Sequence, residues 1–321
     1  MELNRVYLSV QEDLARVEDS LEAVSLVRFD CLAELLGYSL ERSGKRIRPA
    51  LTLLCGRFYS YDLASLLPMA VAVELMHTAT LVHDDAVDKS AVRRGRPTVN
   101  KVWGEDKAVL LGDYLFARAG GFCADTGNLR VIKLFSQTLA AISSGEIKQA
   151  FDAFKLEQTY EHYLQRISSK TASLFSLATE SGAILSQAPE RAVEVLTDYG
   201  HNLGIAFQIV DDILDFIGTE AELGKPVGSD LAQGTLTLPA MLLLKYYPED
   251  NPVKKLFQNV DVAENTRRAI ELVRSSSIVQ ECYAEAAEYC ARACQNLSLL
   301  PDTSDRQALV ELADYVIRRR K

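Results

Sequence analysis

Two clusters of carboxylates are the residues of this 321-residue chain best equipped for chemistry, Asp84-Asp85-Ala86-Val87-Asp88 and Asp211-Asp212-Ile213-Leu214-Asp215. On a helix, residues four apart share a face, so each cluster can aim two or three hard oxygen ligands in one direction. Carboxylates packed this closely repel one another unless a cation sits between them, which points to bound metal. Mg²⁺ takes one or two carboxylates and completes its octahedron with water and substrate phosphates, so the pattern predicts a diphosphate ligand as well as a metal.

Basic and amide side chains placed to hold such an anion recur along the chain. Arg93 and Arg94 follow the first cluster directly, where planar forks could grip diphosphate oxygens; the ordinary alternative is a solvated loop. His77 lies two helical turns before Asp84 on nearly the same face. Gly44-Lys45-Arg46-Ile47-Arg48-Pro49 opens an apolar run, which sets Lys45 and Arg48 near a helix N-terminus. Gln208 sits four residues before Asp212, with core packing as its competing role. Lys225 lies in a glycine-rich loop, and Lys170-Thr171 stands at the start of an apolar helix.

The elements that must carry these residues read as helices. Apolar residues recur at helical spacing, as in Val131-Leu134-Phe135-Thr138-Leu139-Ile142, and sustained period-2 alternation is absent, so the fold class is all-α. Breaks fall at Ser43-Gly44, Arg94-Gly95-Arg96-Pro97, Asp125 to Asn128, Gly224 to Gly234 and Pro248 to Pro252, with no stretch long enough to be a linker. The expectation is one large helical bundle over residues 1–321. A net charge of −9 argues against general nucleic-acid binding. Cys31, Cys55, Cys123, Cys282, Cys290 and Cys294 include no C-x-x-C pair and read as reduced thiols of a cytoplasmic protein. No signal-peptide layout opens the chain, and the apolar stretch Leu66 to Val82 is interrupted by Pro68, Glu74 and His77, which makes it a poor membrane span.

Taken together, GKRIRP at 44–49, HTATLVHDDAVD at 77–88, RRGRPT at 93–98, SKTASLF at 169–175 and GIAFQIVDDILD at 204–215 resemble the trans-type isoprenyl diphosphate synthases, or polyprenyl synthetases, along essentially the whole chain. The resemblance implies an all-α enzyme built around a central cavity, normally a homodimer, that joins isopentenyl diphosphate to an allylic diphosphate such as farnesyl or geranylgeranyl diphosphate. It implies Mg²⁺, three ions per site with substrate bound, on Asp84, Asp88, Asp211 and Asp215, with Asp85 and Asp212 in support. Arg93, Lys170, Thr171, Gln208 and Lys225 would hold the allylic diphosphate. Lys45, Arg48, His77 and Arg94 would hold isopentenyl diphosphate. Metal and cationic side chains would neutralise the departing diphosphate while the isopentenyl double bond attacks the resulting carbocation.

In this family a bulky aromatic four or five positions before the first motif stops the growing tail early. Ala79 and Thr80 stand there, so the resemblance implies a long-chain product of the kind that supplies quinone side chains, with transient membrane contact at product release; geranylgeranyl or farnesyl diphosphate is the alternative product. Phe122 and Phe135 could floor the tail path or simply pack. One departure is Thr235, where many relatives carry lysine. The terminal Arg318-Arg319-Arg320-Lys321 reads as a solvated, frayed tail, with closure over the pocket as the alternative. A class I terpene cyclase would not need the second diphosphate set around His77, and a non-catalytic subunit of a heteromeric synthase would not need both acidic motifs.

Overall fold

The computed structural model describes residues 3–41, 44–220, 224 and 226–319, and several helices start where the sequence supplies a polar cap. Asp62 accepts from the Ala64 N–H, and Asn128 accepts from Arg130 and Val131. Thr159 and His162 form a reciprocal capping box, and Thr303 accepts from Arg306. Each cap satisfies amide groups that the first helical turn leaves unpaired.

In chain order the longer helices are α1 (Gln11–Val24), α2 (Asp30–Leu40), α3 (Ile47–Gly56), α4 (Leu63–Val87), α5 (Glu105–Asp125), α6 (Leu129–Asp152) and α7 (Tyr160–Ile167). A π-helical segment, Ser168–Ala172, then leads into α8 (Ser173–Leu185). They continue as α9 (Glu190–Ile217), α10 (Leu238–Tyr246), α11 (Val262–Ser275), α12 (Ile278–Cys294) and α13 (Ser304–Arg318). Among the described residues the fold is all-α apart from one short hairpin, β1 (Val92–Arg93) against β2 (Arg96–Pro97), in register Val92 to Pro97. The sequence reads that basic stretch as a loop, because two-residue strands carry no periodicity.

The motif helices are the central ones. Leu66 and the run from Met69 to Met76 on α4 are buried, and an apolar helix without a polar face belongs at the middle of a bundle. By length and composition α4 could also cross a membrane, but it packs here against α1, α3, α5 and α8. α9 packs against α8, α12 and α13. α8 therefore touches both motif helices, and the π segment ahead of it adjoins α6 and α9. Gly204 makes the last approach feasible: a Cβ there would stand 2.5 Å from Ala172 Cα.

Candidate active site

The first motif ends α4, with Asp88 as its C-cap. Half-buried positions at His77, Thr80, Leu81, Asp84 and Asp88 form a stripe at helical spacing, whereas Ala79 is 0 % exposed. Of the two small residues above the motif, Thr80 is thus the one that shares the stripe with Asp84, and its hydroxyl donates to the His77 carbonyl (2.7 Å). Asp85 turns elsewhere. Arg93 Nε donates to both of its oxygens, at 2.8 and 2.9 Å, which fixes the hairpin to the end of α4. Burial raises the Asp85 carboxyl pKa, with Arg93 opposing the rise.

Lys170 Nζ lies 3.4 Å from Asp84 and 2.7 Å from Glu146 on α6. Burial lowers the lysine pKa, but Asp84 and Glu146 outweigh it and hold the ammonium firmly charged. Glu146 escaped the sequence reading because Gly145-Glu146-Ile147 lacks any motif; only its position on the inner turn of α6 gives it a role. Burial raises the Glu146 and Asp88 carboxyls, and Lys170 pulls both back down.

The second motif divides in the same way. Asp212 is fully enclosed: Tyr163 Oη donates to one oxygen (2.8 Å) and Gln208 Nε2 to the other (2.8 Å). Burial pushes its carboxyl up to about 7. Asp215 is 1 % exposed, and its oxygens accept from Ser229 Oγ (2.9 Å) and the Asp230 N–H (3.3 Å). Its carboxylate, expected among the metal ligands, here anchors the turn after Gly228. Asp211 is the member of the cluster left half-exposed. The Gln208 carbonyl accepts from Thr171 Oγ1 at 2.6 Å, so the consecutive residues Lys170 and Thr171 address different motifs.

Arginines gather beside Asp211. Arg48 stacks its guanidinium 4.7 Å from the Phe175 ring centre, and burial pushes its pKa down to about 10 against the pull of Glu74 and Asp211. His77 is held well below the ordinary histidine range by burial and by the Arg48 and Arg94 charges. Burial lowers the Arg94 pKa too. Lys45 Nζ lies 5.5 Å from the Tyr315 ring centre, on α13. Gly224 abuts the hairpin turn, where a Cβ would lie 2.5 Å from Arg94 Cα. Lys225, Arg320 and Lys321 lie outside the described residues.

The C-terminus overturns the frayed-tail expectation at Arg319. That residue is 6 % exposed, donates to the Phe207 carbonyl (2.6 Å), pairs with Asp211 (2.7 Å) and lies 3.7 Å from the Phe207 ring centre. A terminal basic run reads as solvated because sequence does not reveal a distant carboxylate and an aromatic face. Buried Arg48 Nε and Arg319 Nε have no hydrogen-bond partner among the described residues.

The donor set fits a hard divalent cation. Among the described residues no three acidic, histidine or cysteine side chains converge on one point, in keeping with an ion completed by substrate phosphates. Lys170 and Arg319 meanwhile sit against the carboxylates of Asp84 and Asp211.

Fold and site together define an all-α enzyme whose two acidic motifs lie on central helices bridged by α8, with arginines from α3, the hairpin turn and the C-terminus gathered beside Asp211. A family model described as polyprenyl synthetase matches residues 29–273, and the chain belongs to that family of prenyltransferases. It is 40 % identical over 319 residues to heptaprenyl diphosphate synthase component 2 of Geobacillus stearothermophilus, covering 99 % of each chain. Two crystal structures superpose closely. A polyprenyl synthase from Caulobacter crescentus CB15, complexed with calcium and isoprenyl diphosphate, matches with TM-score 0.95 at 33 % identity, over 100 % of this chain and 98 % of that one. A decaprenyl diphosphate synthase from Rhodobacter capsulatus matches with TM-score 0.91 at 39 % identity, over 100 % of both.

Proposed function

We propose that this chain condenses isopentenyl diphosphate with an allylic diphosphate in repeated head-to-tail steps, giving an all-trans long-chain polyprenyl diphosphate for a quinone side chain. The observation that carries the reading is the π segment, which directs Lys170 to Asp84 and Thr171, through Gln208, to the second motif. Asp84, Asp88 and Asp211 are the residues that would hold Mg²⁺, three ions with substrate bound, with Asp215 in support from the turn after Gly228. When bound, the metal supplies positive charge to the allylic diphosphate as the C–O bond ionises. Lys170, Gln208, Thr171, Arg93 and Lys225 grip that leaving group. Arg48, Arg94 and Lys45 by their charges and neutral His77 by hydrogen bonding hold isopentenyl diphosphate without metal, which sets its double bond against the reacting carbon. The small Thr80 and Ala79 leave the tail room, in keeping with the heptaprenyl and decaprenyl synthases among the relatives.

The chain works as one domain in the cytoplasm and pairs with a second copy. Apolar side chains exposed on α5 and α6, Leu110 (66 %), Ile147 (60 %) and Phe151 (76 %), are in keeping with such a contact. A second reading follows from the relative named component 2: the chain acts with a different subunit. Incubating the purified chain alone with farnesyl diphosphate, labelled isopentenyl diphosphate and Mg²⁺, then sizing products by mass spectrometry, decides both points. Products of about 30 carbons or more are expected, each added unit being held by burial of its apolar surface. Products ending at 20 carbons would remove the long-chain assignment, and inactivity restored by a second subunit would favour the heteromer.

A further inference from the structure

Tyr163 lies on α7, seven residues before Lys170, and is 0 % exposed. Its phenol does not satisfy itself on a nearby carbonyl, as Tyr199 does with Leu309. Instead it crosses to α9 and donates to Asp212 Oδ2 at 2.8 Å. The other oxygen of that carboxylate accepts the Gln208 amide (2.8 Å), and the Gln208 carbonyl accepts the Thr171 hydroxyl (2.6 Å). With Asp212 ionised every link has a fixed polarity: an acceptor-only carboxylate orients the amide nitrogen, and that sets which end of the amide faces Thr171. Tyr163 begins this chain and Thr171 ends it, on the same stretch of backbone, so the hydrogen bonds close a ring between the π segment and α9.

We propose that Tyr163 is a positioning residue for the reaction, fixing the Asp212 carboxylate and through it the Gln208–Thr171 pair that faces the allylic diphosphate. Asp212 acts in this ring as a keystone and not as a metal ligand. The inference rests on the assignment of Thr171 and Gln208 to the allylic diphosphate, and on nothing about product length.

The test is Tyr163→Phe, which keeps the ring and deletes only the donor. Steady-state kinetics on both substrates should show kcat/KM for the allylic diphosphate falling about tenfold to a hundredfold, the scale of one lost hydrogen bond to a buried carboxylate. KM for isopentenyl diphosphate should stay within about twofold, because Arg48, Arg94 and His77 lie outside the ring. Asp212→Asn should show the same selective loss, and Tyr163→Phe added to it should cost less than about threefold more. Equal losses on both substrates, full additivity of the two substitutions, or normal kinetics with only a lowered melting temperature would each reduce Tyr163 to a core tyrosine. Wild-type enzyme assayed alongside keeps the outcomes apart: if it makes no prenyl diphosphate the proposed function fails first, and if it does, only the positioning role is at stake.

Discussion

Arg319→Ala tests the least expected contact in the structure. The wild-type guanidinium donates to the Phe207 carbonyl at 2.6 Å and to Asp211 at 2.7 Å while stacking on the Phe207 ring at 3.7 Å. A hydrogen bond to a charged group is worth about 1.5–3 kcal/mol when buried. The Asp211 side chain is 40 % exposed, so that ion pair takes the lower end of the range after screening. Stacking adds about 1 kcal/mol, and the whole side chain comes to about 2–3 kcal/mol. Unfolding entropy of roughly 2.1 cal/mol/K per residue makes this about 3–5 °C of melting temperature for a chain of this length. Differential scanning calorimetry of metal-free enzyme supplies the first reading. A second comes from adding Mg²⁺ with inorganic diphosphate: with its competing cation gone, Asp211 should take the metal more readily, and the variant should gain more melting temperature than wild type. A metal-free shift below about 1 °C would mean that the side chain is solvated and the terminal contact illusory.

Two further substitutions probe the electrostatics. His77 is held neutral, so below about pH 6.5 the unfolded chain takes up a proton that the native site refuses, and native stability falls with pH by up to about 1.4 kcal/mol per unit. His77→Gln removes this penalty; melting curves from pH 7.5 to 5.5 should show the variant gaining steadily on wild type, and a constant gap would place a charged histidine in the site. Glu146→Gln takes away the closer carboxylate on Lys170. It should raise KM for the allylic diphosphate about three- to tenfold, the worth of one partly exposed charged hydrogen bond; unchanged kinetics would exclude Glu146 from the site.

What the sequence made legible was whatever repeats within one element. Apolar spacing gave the all-α class, and the acidic clusters gave the chemistry, because a helix turns neighbours in sequence into neighbours on a face. Lys170 and Thr171, weak in isolation, gained weight only from an element that periodicity does not show, the π turn that sends adjacent side chains to different helices. Glu146, Tyr163 and Arg319 were illegible for a related reason. Each acts across a tertiary contact, and nothing in Ser-Gly-Glu-Ile, Glu-His-Tyr-Leu or the terminal basic run records what stands opposite.

The same limit explains why two clusters alike in sequence are unlike in space. Both read Asp-Asp-x-x-Asp, yet Asp85 belongs to Arg93, Asp212 to Tyr163 and Gln208, and Asp215 to Ser229 and the Asp230 amide. Each of these carboxylates ties a neighbouring segment to its motif: the 92–97 hairpin, α7 and the turn after Gly228. The remaining set, Asp84, Asp88 and Asp211, has cationic side chains as its facing groups, with Lys170 on Asp84 and Arg319 on Asp211. Charge balance requires such placeholders, because clustered carboxylates away from bulk water are costly without a counterion. Lys170 can turn to the incoming diphosphate and still remain near the metal site. Arg319, stacked on Phe207 and bound to its carbonyl, has to surrender Asp211 before a metal can use that oxygen, which makes the end of the chain part of the cost of filling the second motif.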